Sequence, residues 1–162
     1  MKKDLLEGKR VIIVDDEPDV LETLEDLLSM CSLVKASTYE GARDRLERES
    51  FDIAILDIMG VDGYKLLEIA NDKDVPAVML TANALSVSDT VRSFKGGAAF
   101  YVPKEEMINI ETFLNDILVA RKKGKNPWSR WLERLGSFYD KKFGSDWQSS
   151  DKEFWEKFNA LL

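Results

Sequence analysis

The sequence predicts an α/β fold, a doubly wound five-stranded parallel sheet with a C-terminal helical extension. From residue 10 to about residue 122, short apolar runs alternate with stretches whose apolar residues recur at helical spacing. This alternation is typical of a repeated strand–helix unit, in which helices join successive parallel strands. The apolar runs are continuous, which indicates strands buried on both faces by those helices.

Most of the predicted strands are apolar runs with a polar end. The runs at 11–14 and 53–56 each end in acidic residues, and the run at 77–80 ends in a threonine. The run at 98–102 is followed by a proline and a lysine. The five strands are predicted at 10–15, 33–36, 51–56, 76–81 and 99–102.

Five helices are predicted from helical spacing and from end signals. Thr38 is placed to cap the second helix, and Asp62-Gly63 is a turn signal before the third. Gly96-Gly97 ends the fourth. The predicted ranges are 18–30, 39–49, 64–71, 86–95 and 107–122. The apolar faces of the first and fifth helices carry Val20, Leu21, Leu24, Leu27 and Leu28, and Ile110, Phe113, Leu114, Ile117 and Leu118.

A basic stretch with glycine and proline follows the fifth helix, and it predicts a division into residues 1–122 and 123–162. The second part is basic and aromatic, and we expect two short helices in it. Pro127 would open the first of these, because proline is favoured at the first helical position. Ser150 and Glu153 have the spacing of a capping box before the second. The apolar residues at helical spacing are Trp128, Trp131, Leu132, Leu135, Phe138 and Tyr139, then Phe154, Trp155, Phe158, Leu161 and Leu162.

The aromatic residues after residue 122 admit more than one role. Helices that fold back on residues 1–122, or on a second copy of the chain, would simply add to a hydrophobic core. An amphipathic helix that enters a partner's groove under control of a signal is the alternative. The basic residues also permit binding to nucleic acid or to a membrane surface. Acidic residues interrupt them and no recognition-helix pattern is present, which argues against nucleic acid.

Composition excludes several classes of protein. The net charge of −7 is uneven, since residues 1–120 carry 13 basic and 24 acidic side chains and residues 121–162 carry 10 and 6. The single cysteine excludes an internal disulfide, and the absence of histidine excludes histidine catalysis and histidine metal ligands. No apolar run is long enough for a membrane span or a signal peptide, so we expect a cytoplasmic protein without a membrane partner.

The polar ends of the strands bring five chemically matched side chains to one edge of the sheet, where open parallel sheets bind ligands. Asp15, Asp16 and Asp57 offer hard oxygen ligands for Mg²⁺, and one carboxylate can act as a nucleophile. Thr81 can donate to a phosphoryl oxygen, and Lys104 supplies a compact positive charge. The set indicates a site for a divalent cation and a phosphoryl group, at which an aspartyl phosphate can form.

Taken singly, these residues have structural interpretations. An acidic pair such as Asp15-Asp16 is commonly a charge cluster at a helix N-terminus, and Thr81 could be a helix cap. Tyr101 could be an ordinary core residue. Glu17 is expected in the first turn of a helix rather than as a direct ligand. The combination at successive strand ends is what favours the site.

Residues 9–122 resemble the receiver domain of bacterial two-component response regulators, the CheY-like superfamily with a flavodoxin-like fold. The residues that carry the resemblance, each at a strand end or just beyond it, are Asp15-Asp16-Glu17, Asp57, Thr81-Ala82, Tyr101 and Lys104. The resemblance implies that Asp57 accepts a phosphoryl group from a partner's histidine. It further implies Mg²⁺ bound by Asp15, Asp16, Asp57 and the backbone carbonyl of Met59.

The resemblance also implies a switch. Thr81 and Tyr101 would shift when Asp57 is phosphorylated, and the face formed by the fourth helix, the fifth strand and the fifth helix would change. The small side chain of Ala82 would leave the phosphoryl group accessible. The residues at the positions of Met59 and Asn83 influence how long such a phosphate survives in this family.

The chain departs from the family pattern in two places. The family usually has lysine followed by proline after the fifth strand, whereas this chain has Pro103-Lys104. The loop 57–63 after the phospho-acceptor is shorter than usual and lacks a proline. These departures motivate one alternative, a pseudo-receiver that binds partners independently of phosphorylation.

We therefore expect a stand-alone response regulator that is not an enzyme, apart from self-phosphorylation and autodephosphorylation at Asp57. Its expected partner is a histidine kinase or a histidine phosphotransfer protein, and the downstream protein and a homodimer are left open. A phosphorelay intermediate that passes phosphate onward is the other alternative. A DNA-associated regulator and a hydrolase are disfavoured, the latter because the site offers no separate general base for outside substrates.

Overall fold

Five parallel strands form one sheet in the order β2-β1-β3-β4-β5 in the computed structural model, which describes residues 5–81 and 86–161 apart from the side chains of residues 150 and 161. The strands are β1 (Arg10–Val14), β2 (Ser32–Ala36), β3 (Ile53–Asp57), β4 (Ala77–Thr81) and β5 (Phe100–Pro103). The helices are α1 (Pro18–Leu27), α2 (Tyr39–Arg48), α3 (Gly63–Asp72), α4 (Val87–Lys95), α5 (Ile110–Lys123), α6 (Trp131–Phe143) and α7 (Lys152–Leu161). The predicted doubly wound sheet with a helical extension is confirmed.

The strand order determines where a crevice opens at the carboxyl end of the sheet. β1 pairs with β2 on one side and with β3 on the other, so the chain changes direction across the sheet after β2. In doubly wound folds this switch point opens a crevice at the carboxyl ends of the two central strands. Asp15 directly follows β1 and Asp57 ends β3, so both carboxylates lie at that crevice.

The two edges of the sheet differ in burial. The edge strand β2 is largely half-exposed, whereas every residue of the edge strand β5 is buried. β3 and β4 are buried throughout, as their continuous apolar runs predict. Additional structure must therefore cover β5, and the C-terminal helices supply it.

Among the first five helices, two boundaries differ from the predicted ones by more than one residue. The first helix ends at Leu27 instead of residue 30, because the chain turns there to enter β2. The fifth helix begins at Ile110 instead of residue 107, and residues Lys104–Asn109 form a tighter 3₁₀ turn. No residue of that turn is buried, whereas Ile110 is fully buried. Helical structure in proteins depends mainly on the packing of an apolar face, which begins only at Ile110.

The end signal of α2 behaves as predicted, whereas the one predicted before α7 is not tested. The hydroxyl of Thr38 accepts a hydrogen bond from the backbone N–H of Gly41 at 3.1 Å, so the predicted cap is confirmed. Before α7, the carboxylate of Asp151 accepts from the N–H of Phe154 at 3.2 Å. The predicted capping box depends on the side chain of Ser150, which lies outside the described residues.

The aromatic segment, defined here as residues 127–158, packs against α4 and β5. Its buried side chains share one hydrophobic core with the sheet, as the fold-back interpretation predicts. The ring of Trp128 contacts those of Phe94 and Phe100, with centroids 5.2 and 6.1 Å apart, and Phe158 contacts Phe94 at 5.0 Å. The division into residues 1–122 and 123–162 stays a sequence-based prediction.

Within the described ranges, no helix has the length and apolar character needed to cross a membrane.

Candidate functional site

Four predicted site residues lie together at the carboxyl end of the sheet. Asp15 follows β1, Asp57 ends β3, Thr81 ends β4, and Lys104 follows β5. Asp15, Asp57 and Thr81 are at most 4% exposed, and the side chain of Lys104 is 12% exposed. Buried polar residues need partners, so their clustering at one end of the sheet points to a common chemical task.

Lys104 connects the two buried carboxylates. Its Nζ lies 2.9 Å from Asp15 Oδ2 and 3.4 Å from Asp57 Oδ1. Pro103 has an extended backbone and pairs with Thr81 in the sheet, and all described peptide bonds are trans. The Pro103-Lys104 order therefore still directs the ammonium group into the acidic crevice.

The crevice penalises ionised carboxylates. Burial, with a further contribution from the charge of Asp15, raises the pKa of Asp57 to about 7, although Lys104 acts in the opposite direction. Burial also raises the pKa of Asp15, and the hydrogen bond from Lys104 limits this rise. Burial alone would lower the pKa of Lys104, but its contact with Asp15 raises it, so the ammonium stays charged. A further cation in the crevice would relieve the remaining repulsion.

The acidic residues after β1 suit a hard cation. Among the described residues, one carboxylate oxygen from each of Asp15, Asp16 and Glu17 lies within 4.8 Å of the others. Asp57 is outside this triplet and joins it through Lys104. An all-oxygen donor set with exposed carboxylates fits Mg²⁺, which uses few protein ligands and keeps several waters.

Glu17 has a larger part in the site than sequence reasoning gave it. Its backbone is extended at the start of α1, outside the first helical turn, and its N–H donates to Asp15 Oδ1 at 2.8 Å. Its Oε1 lies 3.6 Å from Lys104 Nζ. Its position directly after the Asp15-Asp16 pair was the available signal, since a residue at a helix N-cap faces the same crevice as the strand end before it.

Two glycines allow the short loop after Asp57 to close. Gly60 has a φ of 82°, and a Cβ there would lie 2.4 Å from Asp16 Oδ2. A Cβ on Gly63 would lie 2.2 Å from the carbonyl oxygen of Asp57. The loop thus passes directly over the acidic residues, as its shortness requires. The side chain of Met59 in this loop is 70% exposed, and the ligand role of its carbonyl stays a prediction.

Thr81 and Tyr101 are both buried, and their role as a switch pair stays a prediction. The side chain of Tyr101 is fully buried, and burial raises the pKa of its hydroxyl well above the usual value. No described residue forms a hydrogen bond with that hydroxyl. Ala82 and Asn83, to which the family pattern assigns access and phosphate lifetime, lie outside the described residues.

Sequence reasoning missed the polar neighbours of Tyr101 in the helices. Thr90 of α4 and Tyr139 of α6 are buried, and their hydroxyl oxygens are 2.5 Å apart. Tyr139 was identified only as one of several aromatic residues at helical spacing. The available signal was the pair Thr90 and Ser93, small polar residues three apart on a helix face that is otherwise apolar.

Comparisons with known proteins agree with this geometry. The family model of the response regulator receiver domain matches residues 11–115. The probable transcriptional regulator ycf27 of Guillardia theta is 42% identical over 106 residues, which cover 62% of this chain and 41% of that protein. The chain thus matches less than half of the length of that relative.

Solved structures agree as well. A putative response regulator from Chloroflexus aurantiacus is 28% identical with a TM-score of 0.62, over 70% of this chain and 99% of that one. A CheY-like receiver domain protein from Methanospirillum hungatei is 25% identical with a TM-score of 0.62, over 72% and 99%. With its parallel sheet, its acidic crevice and these matches, the chain belongs to the response regulator receiver domain family of two-component signalling.

Proposed function

We propose that the protein is a signalling switch in which Asp57 accepts a phosphoryl group in a Mg²⁺-dependent reaction. One observation carries the proposal. The Nζ of Lys104 lies 3.4 Å from a buried carboxylate oxygen of Asp57 and 2.9 Å from Asp15. This arrangement places the nucleophilic carboxylate of Asp57 beside the positive charge of Lys104, in the crevice at the carboxyl ends of β1 and β3.

The reaction follows from the chemistry of the side chains. An oxygen of ionised Asp57 attacks the phosphorus of a partner's phosphohistidine, the new P–O bond forms, and the P–N bond breaks. The imidazole leaves with the bonding electron pair and later takes a proton from solvent. Lys104 balances the negative charge on the phosphoryl oxygens, and the hydroxyl of Thr81 donates to one of them.

Asp15, Asp16 and Asp57, with the carbonyl of Met59, are the proposed ligands of the metal ion. When bound, Mg²⁺ supplies positive charge that offsets the repulsion among these carboxylates and the incoming phosphoryl group. The raised pKa of Asp57 supports this assignment, because burial and the charge of Asp15 both disfavour a negative charge on Asp57 that no cation offsets.

The proposed partner is a histidine kinase or a histidine phosphotransfer protein. The proposed output is a change at Thr81 and Tyr101 that alters contacts near α4, β5 and α5. The close approach of Lys104 to both carboxylates favours a phosphorylated receiver over a phosphorylation-independent binding module, in spite of the Pro103-Lys104 order.

Intact mass spectrometry after incubation with acetyl phosphate and Mg²⁺ tests the proposal. We expect a mass gain of one phosphoryl group in the wild type, and no gain in Asp57→Asn or without Mg²⁺. Asp72→Asn is the matched control, because it removes the same charge from an exposed position on α3 and should be phosphorylated normally. An unchanged wild-type mass, together with a melting temperature that Mg²⁺ does not raise, would contradict the proposal.

A further inference from the structure

The aromatic segment is attached to β5 and α4 by directional contacts as well as by apolar packing. The indole N–H of Trp128 donates to the carbonyl of Ala98 at 2.8 Å, and that of Trp131 donates to the carbonyl of Tyr101 at 2.9 Å. Both bonds are buried, where a lost partner costs more than at the surface. The segment therefore has a defined register on the strand that carries Tyr101.

The hydroxyl of Tyr139 extends this attachment to α4. Thr90 donates its single hydroxyl proton to the carbonyl of Ser86 at 3.2 Å. When Thr90 donates to Ser86, its oxygen accepts the hydrogen bond from Tyr139, because each hydroxyl has one proton. Tyr139 of α6 thus contacts the first half of α4, which is the next helix in the chain after Thr81.

Tyr101 lies between the crevice and this attachment. Burial raises the pKa of the Tyr101 hydroxyl, and the hydroxyls of Thr81 and Thr90, which lie near it, limit this rise. Burial also raises the pKa of Tyr139, with a smaller contribution from Tyr101. Yet the Tyr101 hydroxyl forms no hydrogen bond to any described residue. A buried hydroxyl without a partner is unfavourable, so a shift of this ring that brings its hydroxyl to a partner would gain a hydrogen bond.

We propose that the aromatic segment is an intramolecular ligand of the face formed by α4 and β5, and that phosphorylation at Asp57 releases it. This inference rests on the proposed function. A phosphoryl group on Asp57 draws the Thr81 hydroxyl toward its oxygens and frees space beside Tyr101. The ring then moves toward Thr81 and away from Thr90, which contacts Tyr139 of the segment. Packed cores respond to such changes by switching between discrete arrangements.

Coupling of this kind is reciprocal. If phosphorylation weakens the attachment of the aromatic segment, a weaker attachment must favour the phosphorylated state by the same factor. A partner protein that binds the face of α4 and β5 would also have to displace the segment. Release of the segment therefore both exposes a surface and frees an amphipathic helix.

The chain carries its own reporter for this test. All four of its tryptophans lie within the segment, at 128, 131, 147 and 155, and each is at most 6% exposed. Intrinsic tryptophan fluorescence therefore reports on the segment alone. Acetyl phosphate and Mg²⁺ should raise the acrylamide quenching constant by about twofold or more, because the coupling shifts the population toward the released segment and exposes its buried tryptophans. Asp57→Asn should show no change.

The reciprocal arm uses Tyr139→Phe, which removes the hydroxyl that contacts Thr90 and keeps the ring. Titration with beryllofluoride and Mg²⁺, followed by fluorine NMR, should show a dissociation constant lower by up to about fivefold, the equivalent of one net hydrogen bond. Tyr39→Phe is the matched control, because it removes a hydroxyl from the start of α2, and should leave the constant unchanged.

The outcomes separate the two proposals. A phosphoryl mass gain with increased quenching supports the release of the segment. A mass gain with unchanged or decreased quenching overturns the release and leaves phosphorylation at Asp57 in place. Absence of a mass gain overturns the proposed function and, with it, the inference that rests on it. Equal dissociation constants for the wild type and Tyr139→Phe also overturn the coupling.

Discussion

At the carboxyl ends of β1 and β3, two buried carboxylates share one ammonium group, whereas against β5 and α4 nearly every buried side chain of the C-terminal helices is aromatic. The first region has raised carboxyl pKa values, so its ionised form opposes folding. The second region removes large apolar rings from water, which is among the most favourable contributions to folding. The comparison teaches that the chemistry of this domain lowers stability and that the aromatic segment offsets part of this loss.

The two regions also differ in how they are held. Lys104 reaches its partners through a flexible side chain, and the neighbouring Asp16 and Glu17 are exposed to solvent. Trp128 and Trp131 are almost fully buried and donate hydrogen bonds to backbone carbonyls. An adaptable acidic site next to a tightly packed aromatic segment would suit the phosphoryl transfer that we propose at Asp57.

The largest effect on stability should come from the aromatic side. Trp131→Ala should lower the free energy of unfolding by about 3–5 kcal/mol, because it leaves a cavity and removes the bond to the carbonyl of Tyr101. Urea denaturation at pH 8 measures this. Ile108→Ala is the control, since Ile108 is 74% exposed and its loss should change stability by less than about 0.5 kcal/mol. Similar losses for both variants would mean that the segment does not contribute to the core.

A smaller loss of stability is expected when Lys104, whose ammonium group lies in the acidic crevice, is replaced. Lys104→Met should destabilise the metal-free protein by about 3 kcal/mol, because removal of one partner leaves buried charge uncompensated. Lys142→Met is the matched control, as the exposed pair of Lys142 with Glu105 should contribute less than about 1 kcal/mol. Equal unfolding midpoints for the two variants in urea would show that Lys104 is not held in the crevice.

The third prediction has the opposite sign. The folded-state pKa of Asp57, about 7, lies above its ordinary value of 3.8, so the folded state binds the proton more tightly. Stability therefore falls as pH rises from about 4 to about 7, and the loss is complete above pH 7. Asp57→Asn should then stabilise the metal-free protein at pH 8 by about 2 kcal/mol or more, since one pKa unit corresponds to about 1.4 kcal/mol.

Urea unfolding at pH 8 and at pH 5 checks this sign. The difference between Asp57→Asn and the wild type should shrink at pH 5, where the folded wild type carries a protonated Asp57. Saturating Mg²⁺ should stabilise the wild type more than the variant at pH 8. A variant less stable than the wild type at pH 8 would mean that Asp57 is better paired than the geometry shows.

Sequence patterns predicted the sheet well because its signals are local and strong. The apolar runs at 53–56 and 77–80 are too short and too uniformly apolar for amphipathic helices. Once each strand is located, the polar residue at its end is located at the edge of the sheet. The start of α5 was misplaced because residues 104–109 have helical propensity but no buried face. The contact of Lys104 with both carboxylates depends on how the chain turns after Pro103, which spacing alone does not specify.

The aromatic segment shows the opposite case. Helical spacing of Trp128, Trp131 and Tyr139 showed that one face of the segment would be buried, and that expectation agrees with the structure. Spacing carries no information on which surface would bury it. The bond between Tyr139 and Thr90 joins residues 49 apart in sequence, and only the assembled fold brings them together.

Because β5 precedes the aromatic segment in the chain, it is synthesised before the helices that cover it. Trp131 bonds to a strand residue that precedes it by 30 positions. A ribosome that adds about 5–20 residues per second needs roughly 2–6 s to make that stretch. In this interval β5 is an open edge strand, which can pair with strands of other chains. We expect the nascent protein to be most prone to association during this interval. The packing of Trp128 and Trp131 against β5 should then end this tendency.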